Sequence, residues 1–174
     1  DPLWSRGLGD VYKRQHVDPV IFNGDLFFKF GSQDSFSVFG RAYAHAVAFA
    51  GVAWSSLIGV LAGQLLFIAS IGFLAWRVLP ENARAVAGCI LAVTAGTYGS
   101  SSIFHFAEPF LTARTYSEVL VVFGVAFMAR GQLIAAATVC VVAALLHPLM
   151  ALPGLLLCWA CLLYTSDAAD DSLR

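Results

Sequence analysis

Eight side chains in this sequence could take part in bond-making or hold a charged ligand: Asp18, Asp25, Asp34, His105, Glu108, Arg114, Glu118 and His147. A carboxylate near a membrane surface can act as general base toward a hydroxyl, or bind a divalent cation through oxygen. A guanidinium presents a planar fork of donors that suits phosphate. Arg114 and Glu118 stand four apart, so on a helix they share a face and can pair. His147 precedes Pro148 and breaks an otherwise apolar run. Plainer readings compete with each of these. Asp18 precedes a proline and Asp25 follows Asn-Gly, both ordinary turn chemistry. Arg114 with Glu118 can equally be an ion pair anchoring a helix at an interface. His45 and His105 suit packing or an interface, and His147-Pro148 suits a polar kink. No Gly-rich phosphate loop is present.

The elements that must position these groups are oily. The chain is 59% hydrophobic with mean hydropathy +0.78, well above the apolar share of an average soluble domain. Residues 16–41 are mixed and polar, with Pro19, Gly24 and Gly31 as punctuation, and Asp34 or Ser35 could cap a helix beginning near Phe36. Ala42 to Leu79 carries one basic residue, Arg77, besides His45. That run is too long for one crossing of about 20 residues. Gly51 is its natural division, with Ser35–Ala50 at the interface and Val52–Val78 spanning. Trp54 and Trp76 would lie roughly 33 Å apart along such a helix, close to the hydrocarbon thickness of about 30 Å, at the boundaries tryptophan prefers.

Arg77 to Arg84 reads as a tight charged turn and Ala85 to about Tyr98 as a second apolar helix, ending at Gly99-Ser100-Ser101-Ser102. A loop from Ile103 leads into an apolar helix that starts around Leu111 and ends at Met128. Arg130-Gly131-Gln132 is another short turn. Leu133–Leu146 and Leu149–Ala160 are apolar on either side of His147-Pro148, which leaves one kinked span or two short helices open. The fold class is therefore all-α: a polytopic transmembrane helical bundle of about four to five membrane helices plus an interfacial helix.

The ends have a different character. With one permitted choice of codons, Asp10–Gln15 back-translates to GAT GTG TAT AAG AGA CAG, and Cys161–Ser166 to TGT CTC TTA TAC ACA TCT. Apart from frame offsets at the edges, the second string is the reverse complement of the first. Both resemble the transposase end used in DNA library preparation. Residues 1–15 and 161–174 are accordingly expected to be adapter-derived, and 16–160 to be a fragment of a multi-pass membrane domain. That stretch holds six basic and six acidic residues, so nothing marks a nucleic-acid partner, which would select a basic stripe. Cys89, Cys140 and Cys158 sit in apolar runs without partner spacing and read as small hydrophobes.

Arg77, Arg84 and Arg130 occupy the two short connections, which the positive-inside rule places in the cytoplasm. Residues 16–41 and 99–114 then share the outer side, gathering the acids, His105 and Arg114 there, with His147 joining if Leu133–Leu146 crosses fully outward. A polar outer loop, an interfacial helix and a span come first. Glu108, Phe110-Leu111-Thr112-Ala113-Arg114, Tyr116 and Glu118 follow. An Arg-Gly turn and His147-Pro148-Leu149-Met150-Ala151-Leu152-Pro153 complete the pattern. This succession resembles the GT-C superfamily of membrane-embedded glycosyltransferases, including the dolichyl-phosphate-mannose and arabinose-transferring types. The resemblance is architectural and covers most of 16–160. It implies transfer of a sugar from a polyprenyl-phosphate donor at the outer face of a bacterial inner membrane. Asp18 or Asp25 would be the catalytic base, Glu108 would aid acceptor or metal binding, and Arg114 with His147 would hold the donor phosphate, His105 lying in the same substrate-binding set. No cofactor is fixed, a divalent metal being the one left open; the implied partners are the lipid bilayer and the lipid-linked sugar. The alternatives are a transporter or channel component lined by the same polar groups, and a membrane protein without catalysis.

Overall fold

The structure, a computed structural model, describes residues 37–93, 97–98, 104–105 and 110–171. Asp18, Asp25, Asp34 and Glu108 lie outside the described residues. Phe39–Val78 forms helix α1, broken at Gly51, where the backbone is non-helical (φ 77°, ψ 165°). Only glycine adopts that region without strain, so the division predicted at Gly51 has a steric cause. Tyr43 Oη and Ser56 Oγ are 2.7 Å apart. Thirteen residues of unbroken helix would separate their backbones by roughly 20 Å. The Phe39–Ala50 arm therefore folds back sharply over the start of the longer segment. Its Gly40, Tyr43 and Val47 face inward, while Arg41, His45 and Phe49 are exposed. The arm starts at Phe39, three residues later than predicted, and Ser37 Oγ accepts its first amide, from Phe39, at 3.1 Å.

Glu81–Val93 forms α2. Leu79 is extended ahead of Pro80, as steric conflict with the proline ring requires, and Arg84 Nε donates to the Leu79 carbonyl at 3.0 Å. The charged turn thus contracts to two residues. Arg77 closes α1, while Glu81 opens α2 at the helix end that favours an acid. The apolar helix predicted to reach Tyr98 does not. Thr97–Tyr98 (β1) pairs antiparallel with Phe104–His105 (β2), Thr97 opposite His105. Threonine and aromatic residues favour a strand there over a helix.

Three helices follow: α3 (Ala113–Met128), α4 (Leu133–Leu146) and α5 (Pro148–Asp171). Gly131 (φ 71°) turns the chain between α3 and α4, and Gln132 N donates to the Phe127 carbonyl at 3.0 Å. His147 is extended (φ −152°, ψ 96°), so the run after Gln132 is two helices. Proline excludes helix from the residue before it and suits the first helical position itself. α5 continues past Ala160 to Asp171, through residues expected to be adapter-derived; leucine and alanine sustain a helix whatever their origin.

Contacts fix the directions of these helices. Gly59 and Gly63 of α1 face Leu111 and Thr115, while Phe73 meets Phe123 and Phe127, so α1 and α3 run parallel. Gly124 packs on Cys140 and Ser117 reaches Ala143, so α4 runs antiparallel to α3. Gly154 meets Val121 and Cys158 meets Met128, so α5 again runs with α3. The starts of α3 and α5 and the break at Gly51 thus share one end of the bundle. Arg77 and Arg130 share the other.

The interior is small and polar. Ala126, Ala136, Ala143, Ala151, Ser70 and Ser117 are fully buried. The large apolar residues face outward, with Phe49 96%, Ile134 87% and Leu149 69% exposed. By length and composition one described helix, α1, can cross a membrane; only 17% of its most apolar window is buried. Leu133–Leu146 and Pro148–Tyr164 are shorter apolar helices.

Candidate functional site

The end where α3 and α5 begin collects the polar side chains. Arg114 occupies the second position of α3, half-buried, and Glu118 lies one turn further on and is 9% exposed. A basic residue in a first turn opposes the helix dipole, which favours anions there. Neither α3 nor α5 carries an acid in its first turn. Two helix starts and a guanidinium meet the carbonyl end of α4 and the Glu118 side chain there, so groups of both signs gather at one end.

His147 proves to be a cap before anything else. Met150 N donates to His147 Nδ1 at 3.2 Å, the bond an N-cap side chain makes to the third helical amide. The bond requires Nδ1 to be unprotonated and leaves the ring proton on Nε2. A ligand contact from this residue would have to use Nε2.

Ser117, which sequence reasoning passed over, ties the region together. Its buried hydroxyl donates to the Ala143 carbonyl at 3.1 Å and shares its proton with the His147 carbonyl at 3.3 Å. The last carbonyls of α4 are also met from far along the chain: Val38 N donates to Leu145 O at 3.0 Å and Ser37 Oγ to Leu146 O. Helix ends leave such carbonyls without intrahelical partners. The arm and α3 thus cap α4, and by doing so they hold the α4–α5 corner and His147 against Ser117.

On the α1 side, Tyr116 Oη donates to the Gly59 carbonyl at 2.7 Å, and the Phe39 ring packs at a tilt against Tyr116, with 5.9 Å between ring centroids. Gly59 and Gly63 let the backbones approach. A Cβ on Gly59 would lie 2.8 Å from Leu111 Cδ1, and one on Gly63 would lie 3.3 Å from Thr115 Cγ2. Glycines four apart in an apolar helix are a legible packing signal in the sequence; Ser117 has no such signature. The small cavity here, lined by Gly59, Gly63, Thr112, Thr115 and Tyr116, has a volume of about 10 Å³, room for about one water. Ligand pockets typically measure about 300–1,000 Å³, so a large substrate would have to lie on the open end of the bundle.

Of the residues singled out in the sequence, Arg114, Glu118 and His147 come to one end. His105 lies in β2. Asp18, Asp25 and Glu108 lie outside the described residues. No cluster of three or more His, Cys, Asp or Glu side chains suited to a metal occurs among the described residues. The chain matches no family model, no curated protein and no solved structure.

Proposed function

We propose that the chain is part of a multi-pass membrane protein of glycosyltransferase type, moving a sugar from a lipid-phosphate donor at the outer face of a bacterial inner membrane. The bilayer reading is supported by the inverted arrangement of side chains, with small and polar residues inside and large apolar ones outside. Helices that associate in lipid pack through small residues and turn polar groups inward. The single observation that carries the donor class is Arg114 at the start of α3. A guanidinium there, close to the start of α5, offers a planar fork of donors, and phosphate suits both a guanidinium and a helix N-terminus.

In this reading Arg114 binds the donor phosphate and His147, through Nε2, adds a second donor. Asp18 or Asp25 takes the proton of the acceptor hydroxyl, while Glu108 and His105 help seat the acceptor or a divalent metal. A solute path is the competing reading, favoured by the two breaks at Gly51 and His147, since interrupted helices also line transport sites. The deciding measurement is sugar transfer from a radiolabelled polyprenyl-phosphate donor in membranes containing the complete protein. Asp18→Asn with Asp25→Asn should abolish transfer. Undiminished transfer in that double variant removes the mechanism; counterflow of a solute without transfer favours the path.

A further inference from the structure

We propose that Met128, Cys140 and Cys158 form a binding site for a soft monovalent metal ion of the copper(I) type. The chain has four cysteines and two methionines, and three of these six sulfurs meet where α3, α4 and α5 converge. Cys158 Sγ lies 3.4 Å from Met128 Sδ and 4.0 Å from Cys140 Sγ. An ion with metal–sulfur bonds of about 2.3 Å, as thiolates make to zinc, holds three sulfurs in a trigonal plane roughly 4 Å apart. The cysteine pair already has that spacing, and Met128 Sδ has to withdraw from Cys158 Sγ by about half an ångström. Two thiols and a thioether are soft donors that select copper(I) over the oxygen-seeking cations.

The surroundings suit a site. Cys140 is fully buried and Cys158 is 5% exposed, so water is kept from both sulfurs. Gly124 and Gly154 close on Cys140 Sγ from two sides; a Cβ there would stand 2.7 Å and 3.1 Å away. Met128 is half-buried and borders a groove with Gly131, Leu133 and Ala160, which gives an ion a way in. Each thiol that ligates as thiolate releases its proton. One copper(I) with one thiolate, one thiol and the thioether is neutral overall, the form a water-poor interior favours, so binding releases one proton. Sulfur-containing side chains also fill gaps between helices without binding anything, and metal affinity separates the two cases.

The test is an anaerobic titration of the complete, reduced protein in detergent with copper(I), in competition with a chromophoric chelator. One equivalent should bind with release of one proton and appearance of an ultraviolet thiolate-to-metal band. Altering groups that merely support ligands costs about 10–100-fold in affinity, so Cys140→Ala and Cys158→Ala should each lose a hundredfold or more. Met128→Leu should weaken binding about tenfold, and Cys89→Ala should change nothing. Failure of the unaltered protein to hold copper(I) against the chelator overturns the site. So does unchanged affinity in the Cys140→Ala, Cys158→Ala double variant, or a disulfide between these residues in protein isolated without oxidant.

Discussion

The two ends of the bundle are held by different forces. At the end where α3 and α5 begin, hydroxyls and amides from three parts of the chain satisfy carbonyls: Ser37 and Val38 reach Leu146 and Leu145, Ser117 reaches Ala143 and His147, and Tyr116 reaches Gly59. At the other end rings and sulfur fill the space. Phe73 packs at 5.4 Å and 5.6 Å on Phe123 and Phe127, and the Arg77 guanidinium lies 4.7 Å over Phe73. Directional bonds fix positions to within a few tenths of an ångström, whereas ring and thioether contacts tolerate sliding. The first end is built to hold side chains at set places, as a reacting centre for a large substrate needs; the second leaves its rings and the Met128 thioether room to adjust.

That contrast can be broken in graded ways. The largest effect is expected from Arg114→Ala, which should lower sugar transfer by roughly a hundredfold or more if charge at the α3 start stabilises the donor phosphate. Half-buried Arg77 lies at the opposite end of the bundle, and Arg77→Ala should leave transfer within about threefold in the same assay, as expected of a distant, independent site. Next comes Gly124→Ala, where the new methyl meets Cys140 Sγ inside a packed interface. It should cost about 1–3 kcal/mol in a detergent unfolding titration. Gly59→Ala meets only the flexible tip of Leu111 and should cost less than about 1 kcal/mol by the same titration. Ser117→Ala should cost about 1 kcal/mol, because interhelical hydrogen bonds inside membranes average about 0.6 kcal/mol with a maximum near 1.7. The finest test separates the two roles of His147. His147→Ala removes a helix cap worth about 0.5–2 kcal/mol, whereas His147→Asn keeps a capping oxygen and should restore stability without restoring transfer. Transfer regained in His147→Asn would confine this residue to its structural task.

Much of the fold was legible in the residues. Gly51 divides the long apolar run at φ 77°, a backbone conformation that suits glycine, and proline at 80 and 148 marks the helix starts by steric rule. His147 could be read as a break but not as a single kink or two helices, since that depends on whether α4 and α5 pack on each other, a long-range matter. The end of α2 was misjudged because apolar content favours helix and β-rich short segments equally; pairing of Thr97–Tyr98 with Phe104–His105 decided it. At the site, Arg114 and Glu118 announced themselves as charges in an oily sequence. Ser117 and Ser37 did not, because a serine that caps a distant helix looks like any other serine.

The shortness of α4 has a further consequence. Fourteen residues give roughly 21 Å of helix, some 9 Å less than the hydrocarbon layer of about 30 Å. Embedded as proposed, α4 cannot reach across an undisturbed bilayer. Lipid beside it has to pinch inward, at a cost of fractions of a kcal/mol per ångström of mismatch. The dimple that results would carry headgroups and water down toward His147, so that a long-chain phosphate could approach from within the leaflet.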